Sequence, residues 1–181
     1  MKNKSVFIAL GLMLLSCESS VHEHNDNSNA SFETNRSKKA DLPPNFLSKI
    51  PTGKAISVIE ARKKNKTGEK LIIEGAICGM LEPFTKDRAM FVLGDLTIKT
   101  CDKISGDNCP TPWDACCEDR KKIISSSLTV CVLDESGKIK EGTLKNVMGI
   151  EAGRKIKVEG LVDAQSIPTS MVINATRIEL L

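Results

Sequence analysis

Residues 89–118 read AMFVLGDLTIKTCDKISGDNCPTPWDACCE. Ala89 to Leu93 and Leu96 to Thr100 are short apolar runs rich in strand-forming residues, and Gly94-Asp95 between them predicts a hairpin turn. A loop crowded with cysteines follows. Outside this stretch the apolar periodicity is again mostly that of strands. Leu71 to Ile77 places Leu71, Ile73 and Ile77 on one face and Ile72, Glu74 and Ala76 on the other. Leu128 to Leu133, a turn at Glu135 to Lys138, Arg154 to Val162 and Met171 to Leu180 complete the set. Ser57 and Glu60 form a capping-box pattern that predicts a helix over Val58 to Lys64, ended by the Asn65 to Gly68 turn. The expectation is an all-β domain with one or two short helices, five or six short strands, and a small closed or partly closed barrel.

The chain begins MKNKSVFIALGLMLLSC. Lys2 and Lys4 precede an apolar run too short to span a bilayer, and the pattern is that of a secretion signal over residues 1–16. Its LLSC ending resembles the lipobox of bacterial lipoproteins, in which Cys17 becomes the acylated N-terminus. More than one acyl chain on Cys17 would make a stable membrane anchor. Glu18 after it resembles lipoproteins sorted to the outer membrane. Residues 18–50 are rich in Asn, Ser and charge and are expected to be a flexible linker after the lipidated Cys17. His22 and His24 fall in this segment and read as solvated linker, not as metal ligands. The folded domain is expected over residues 54–181.

Charge excludes bulk attraction to polyanions. The chain carries +3, and loss of Lys2 and Lys4 with the signal leaves 24 basic against 23 acidic residues. The basic runs Arg62-Lys63-Lys64 and Arg120-Lys121-Lys122 have acidic neighbours in Glu60, Glu118 and Asp119, which reads as a solvated polar face.

MFVLGD, CDKISGDNCPTPWDACCE, LTVCVLDESGK and VINATRIELL together resemble a group of small exported bacterial proteins with a CPTPWD-aromatic-CCE signature, assigned an OB-fold. The likeness covers roughly Ala55 to Leu181, with Ala115 standing where the signature has an aromatic. It implies a five- to six-stranded barrel of the OB-fold, the nucleic-acid-binding type, carrying a cysteine-rich loop insertion.

Export makes disulfides the leading reading for the six cysteines beyond Cys17, namely Cys78, Cys101, Cys109, Cys116, Cys117 and Cys131. Cys116 and Cys117, being adjacent, are expected to pair elsewhere, with Cys101 and Cys109 as candidates. Alternation places Cys78 on the outward face with Glu74, and Cys131 on the outward face with Thr129. The first and fourth strands of an OB barrel are neighbours, which would bring Cys78 to Cys131. The C-x7-C-x6-C-C spacing lacks the paired form usual for structural zinc, so no metal is expected. A vicinal redox pair at Cys116-Cys117 is the third reading.

With no histidine or tyrosine in the domain and no phosphate loop or nucleophile elbow, no catalytic residue and no cofactor are expected. Candidate ligand contacts are Trp113, Asp114, Lys121 and Lys122, although core packing is the preferred reading for Trp113. The expected function is that of a binding or interaction module tethered through Cys17 to a membrane of the bacterial cell envelope, without enzymatic activity. Its candidate partners are an envelope protein, an oligosaccharide or a nucleic acid. The first alternative is a single-stranded nucleic-acid or oligosaccharide binder using the barrel face, and the second a metal-binding or thiol-redox domain centred on Cys101 to Cys117.

Overall fold

A computed structural model describes residues 37–50, 53–64 and 66–181. The signal segment, the lipidation site expected at Cys17, and His22 and His24 lie outside the described residues.

Among the described residues, six strands and two short α-helices make up the domain. They are β1 (Ile56–Ser57), α1 (Val58–Lys63), β2 (Lys70–Ala76), β3 (Met90–Gly94), α2 (Arg120–Ser125), β4 (Ser127–Cys131), β5 (Lys155–Val162) and β6 (Val172–Leu180). The sheet order is β1-β2-β3-β4-β6-β5, and β2 also pairs with β5, so strands β2 to β6 close a five-stranded barrel. Its longest seam is antiparallel β2 with β5, from Lys70 opposite Leu161 to Ala76 opposite Lys155. β4 and β6 run parallel, with Val130 opposite Ile173. This is an OB-fold-like all-β barrel, with β1 as one extra strand parallel to β2.

The barrel closes because one face of each strand is uniformly apolar. Ile73, Phe91, Leu93, Val130, Ile156, Val158, Ile173 and Ile178 all point inward and are buried. Alternation on β2 and β5 puts charged residues such as Glu74 and Lys157 on the outer side, where they are only partly covered.

The capping box forms as expected: Ser57 accepts the Glu60 backbone N–H, and the Glu60 carboxylate accepts that of Ser57. Val58 and Ala61 seat α1 on the core. Arg62 holds the helix in place through its guanidinium, which donates to the carbonyls of Ser127 at 2.7 Å and Pro168 at 2.6 Å.

Two sequence expectations are corrected. Leu96 to Thr100 is not a strand and Gly94-Asp95 is not a hairpin turn. The Asp95 N–H donates to the Ser126 carbonyl, while its carboxylate accepts the Thr97 N–H and hydroxyl, so the chain turns away from the sheet. Lys103 closes this segment by donating to the carbonyls of Leu96 and Ile98.

The linker expected to run to residue 50 is folded from Lys38 onward. Ala40, Phe46 and Ile50 are buried. The segment exchanges backbone hydrogen bonds with Thr143 at Lys38 and Ala40, and with Ile178 at Phe46 and Ser48. Few apolar residues suffice here because the barrel supplies the other side of each contact. Gly142 (φ +92°) makes the docking possible, since a Cβ there would stand 2.7 Å from the Ala40 nitrogen.

The sequence allows a second short helix without placing it, and the structure puts it at α2. Its signal was Asp119, whose carboxylate caps the Lys122 N–H, ahead of a short run in which Lys122 pairs with Glu118 at 2.6 Å.

Candidate functional sites at the two ends of strand β3

Strand β3 carries a different feature at each end. At its Met90 end lies a groove of about 980 Å³ over the outer face of β3, β4 and β6. Met90, Leu133, Ile139 and Val172 give it an apolar floor, and Lys38, Arg88 and Lys138 face Asp87, Glu141 and Asp163 around its rim. Asn174 donates to Asp163 at 2.6 Å, forming an amide-carboxylate pair within the groove. Among the described residues, no aromatic ring lines it. The groove was invisible in the sequence, because residues 87–88, 133–142 and 163–165 come together over the strands only when the barrel closes.

At the Gly94 end lies the cysteine-rich loop between β3 and β4. Its arms are tied by backbone hydrogen bonds from Cys101 to Asp114 (2.8 Å) and from Asp102 to Pro112 (3.1 Å), and the Trp113 carbonyl accepts the Gly79 N–H. A 3-10 turn at Cys101–Lys103 and the Asp107 carboxylate, which accepts the Cys109 N–H, shape the bend between the arms.

The fold gathers four cysteines in this loop. The Sγ atoms of Cys101, Cys109 and Cys116 all lie within 4.8 Å of one another. Cys116 Sγ stands 3.5 Å from that of Cys101 and 3.7 Å from that of Cys117. Three of these thiols are shifted, and not all in the same direction. Burial, reinforced by the neighbouring Cys116 and Cys109, pushes the Cys101 thiol up to about 12. The Thr111 hydroxyl, 3.3 Å from Cys109 Sγ, holds that thiol below its ordinary value. Contact with Cys116 raises Cys117.

Cys78 and Cys131 are not brought together, which corrects the expected bridge. The expectation counted Leu96 to Thr100 as a strand, making 128–133 the fourth; with that strand gone, Cys131 lies on the third barrel strand. The neighbour of β2 is indeed the fourth barrel strand, β5, but it carries no cysteine. Cys131 sits opposite Met90, whereas Cys78 lies beyond Ala76, the partner of Gly94. Four residues of β3 separate those positions by roughly 13 Å, well beyond the roughly 7 Å limit between bridged Cα atoms. Both thiols face outward by alternation, as expected, yet both are covered by loops, and burial pushes each up to about 11.

The four residues singled out as ligand contacts are dispersed. Trp113 is half-buried beside a 290 Å³ cavity that also touches Cys78, Thr100 and Lys103, and its indole N–H donates to the Leu81 carbonyl at 3.1 Å. Asp114 accepts the Ala115 N–H, Lys122 is held by Glu118, and Lys121 is exposed on α2. None of them lines the groove. Among the described residues, no helix is long and apolar enough to cross a membrane. No family model, curated protein or solved structure gives a significant match to this chain.

Proposed function

We propose that the chain is a lipid-anchored binding module of a bacterial cell envelope, holding a neutral, hydroxyl-rich ligand such as an oligosaccharide in the groove over β3, β4 and β6. The observation that carries this reading is the groove's position. In OB barrels the second and third strands, with the loops flanking them, form the face that takes oligonucleotides and oligosaccharides. Here those strands are β3 and β4, and the groove lies across them.

Its lining favours the sugar over the single strand. Nucleic-acid binding by such barrels relies on aromatic stacking and a positive track, whereas the described residues lining this groove include no aromatic ring and equal numbers of acidic and basic side chains. The Asn174–Asp163 pair offers a donor and an acceptor side by side, the arrangement that suits vicinal hydroxyls. With no histidine in the domain, binding without catalysis is the simpler role.

Calorimetry of the full-length chain against envelope-derived oligosaccharides and a single-stranded oligonucleotide tests the reading. Oligosaccharide binding that is insensitive to salt and lost in Asn174→Ala and Asp163→Ala supports it. Salt-dependent oligonucleotide binding, or binding unaffected by either substitution, overturns it.

A further inference from the structure

We propose that Cys101, Cys109, Cys116 and Cys117 form a thiolate site for one thiophilic d10 cation, zinc(II) or copper(I). The site is separate from the groove and does not depend on the function assigned to it.

The argument begins with spacing. Sulfurs at the corners of a tetrahedron around a metal, each about 2.3 Å from it, stand roughly 3.8 Å apart. The two short separations here, 3.5 Å from Cys101 to Cys116 and 3.7 Å from Cys116 to Cys117, match that edge. Three sulfurs lie within 4.8 Å of one another, so the cluster converges on a point and is not arranged as separate pairs. Cys116 in particular neighbours two other thiols, and a disulfide satisfies only one. A vicinal bond from Cys116 to Cys117 would close a strained ring.

Donor chemistry narrows the ion. The converging group contains only sulfur, with no imidazole or carboxylate among its members. Such a set disfavours magnesium, calcium and manganese, and suits zinc with four thiolates or copper(I) with three.

The protein organises the donors before any ion arrives. Cys101 is anchored to Asp114 and Asp102 to Pro112 across the loop, and Cys109 is fixed through Asp107. Cys116 and Cys117 are exposed, which leaves a route from solvent, while Cys101 forms the buried base. Ligation releases a proton from each thiol that binds, so uptake acidifies an unbuffered solution. The sequence spacing hid this site because the donors come from two arms of one loop, joined by backbone hydrogen bonds that no spacing rule encodes.

The test uses the full-length chain, reduced and freed of metal, and titrated separately with zinc(II), cobalt(II) and copper(I). Native mass spectrometry should show one ion per chain, and cobalt should give thiolate-to-metal charge-transfer bands. Zinc and copper are distinguished by whether four or three of the loop thiols become protected from alkylation. Cys101→Ser and Cys116→Ser should each weaken binding at least about tenfold, with Cys78→Ser unchanged. Should the serine variants fail to fold, residue-by-residue alkylation of the wild-type chain decides the matter. Protection of the loop thiols on metal addition supports the site. No ion bound, no protection, or two disulfides mapped among these four residues in the chain as isolated from its native compartment would overturn it.

Discussion

The carboxylate of Asp95 accepts the backbone N–H of Ile59 at 3.1 Å, so a residue just past β3 caps the first turn of a helix 36 positions earlier in the chain. The same carboxylate accepts the Thr97 N–H and hydroxyl, and Asp95 is only 2% exposed. Burial alone would raise its pKa, but these hydrogen bonds outweigh it and hold the carboxyl below its ordinary value.

A depressed folded-state pKa means that the charged form stabilises the fold. Asp95 therefore contributes stability above the unfolded pKa of about 3.9, and that contribution is lost as pH falls through the lower folded value. Asp95→Asn should cost about 1–3 kcal/mol at neutral pH. It should also flatten the acid limb of urea midpoints measured against pH. An acid limb identical to that of wild type would count against this role.

The segment from Lys38 to Ile50 belongs to the folded unit. A chain beginning at residue 54 should be weaker than the full-length protein by several kcal/mol in urea denaturation, since it loses buried Ala40, Phe46 and Ile50. Gly142→Ala should act in the same direction through strain at φ +92° and contact with Ala40. Hydrogen exchange should then speed up at the Ala40 and Thr143 amides, which are paired with the opposing segment.

Close approach of Gly94 to Cys78 predicts a coupled pair. A Cβ at Gly94 would lie 2.7 Å from Cys78 Sγ and 3.0 Å from Ile98 Cδ1. Gly94→Ala should destabilise by about 1–3 kcal/mol, and Cys78→Ala should recover part of that loss in the double variant. Strict additivity in thermal unfolding would show that the sulfur is not the obstacle.

Buried Cys78 and Cys131 make a prediction at high pH. Burial raises both thiols to about 11, so the fold favours their neutral forms. That stability is intact below the unfolded thiol pKa of about 8.5, and is lost as pH rises toward the folded values. Unfolding midpoints should decline over this range, and less steeply in the double variant Cys78→Ala/Cys131→Ala. Maleimide mass labelling at neutral pH should leave both residues unmodified until the protein is unfolded.

What could be read along the chain was local. The period-two alternation of Leu71 to Ile77, Arg154 to Val162 and Met171 to Leu180, and the Ser57/Glu60 cap, depend on neighbouring residues alone, and the structure has β2, β5, β6 and α1 there within a residue or two. A small closed or partly closed barrel followed from the number and length of such strands, and its OB form was what the family resemblance implied. Folding in space decided the rest. Leu96 to Thr100 has strand-like composition, yet Asp95 directs its hydrogen bonds to Ile59, Thr97 and Ser126, and no partner strand remains for it. Residues 38–50 read as linker because their partners, such as Thr143 and Ile178, lie a hundred or more positions away. The separation of Cys78 from Cys131 and the convergence of Cys101, Cys109 and Cys116, with Cys117 beside Cys116, follow from strand order and loop closure. Those long-range contacts leave no periodicity in the sequence.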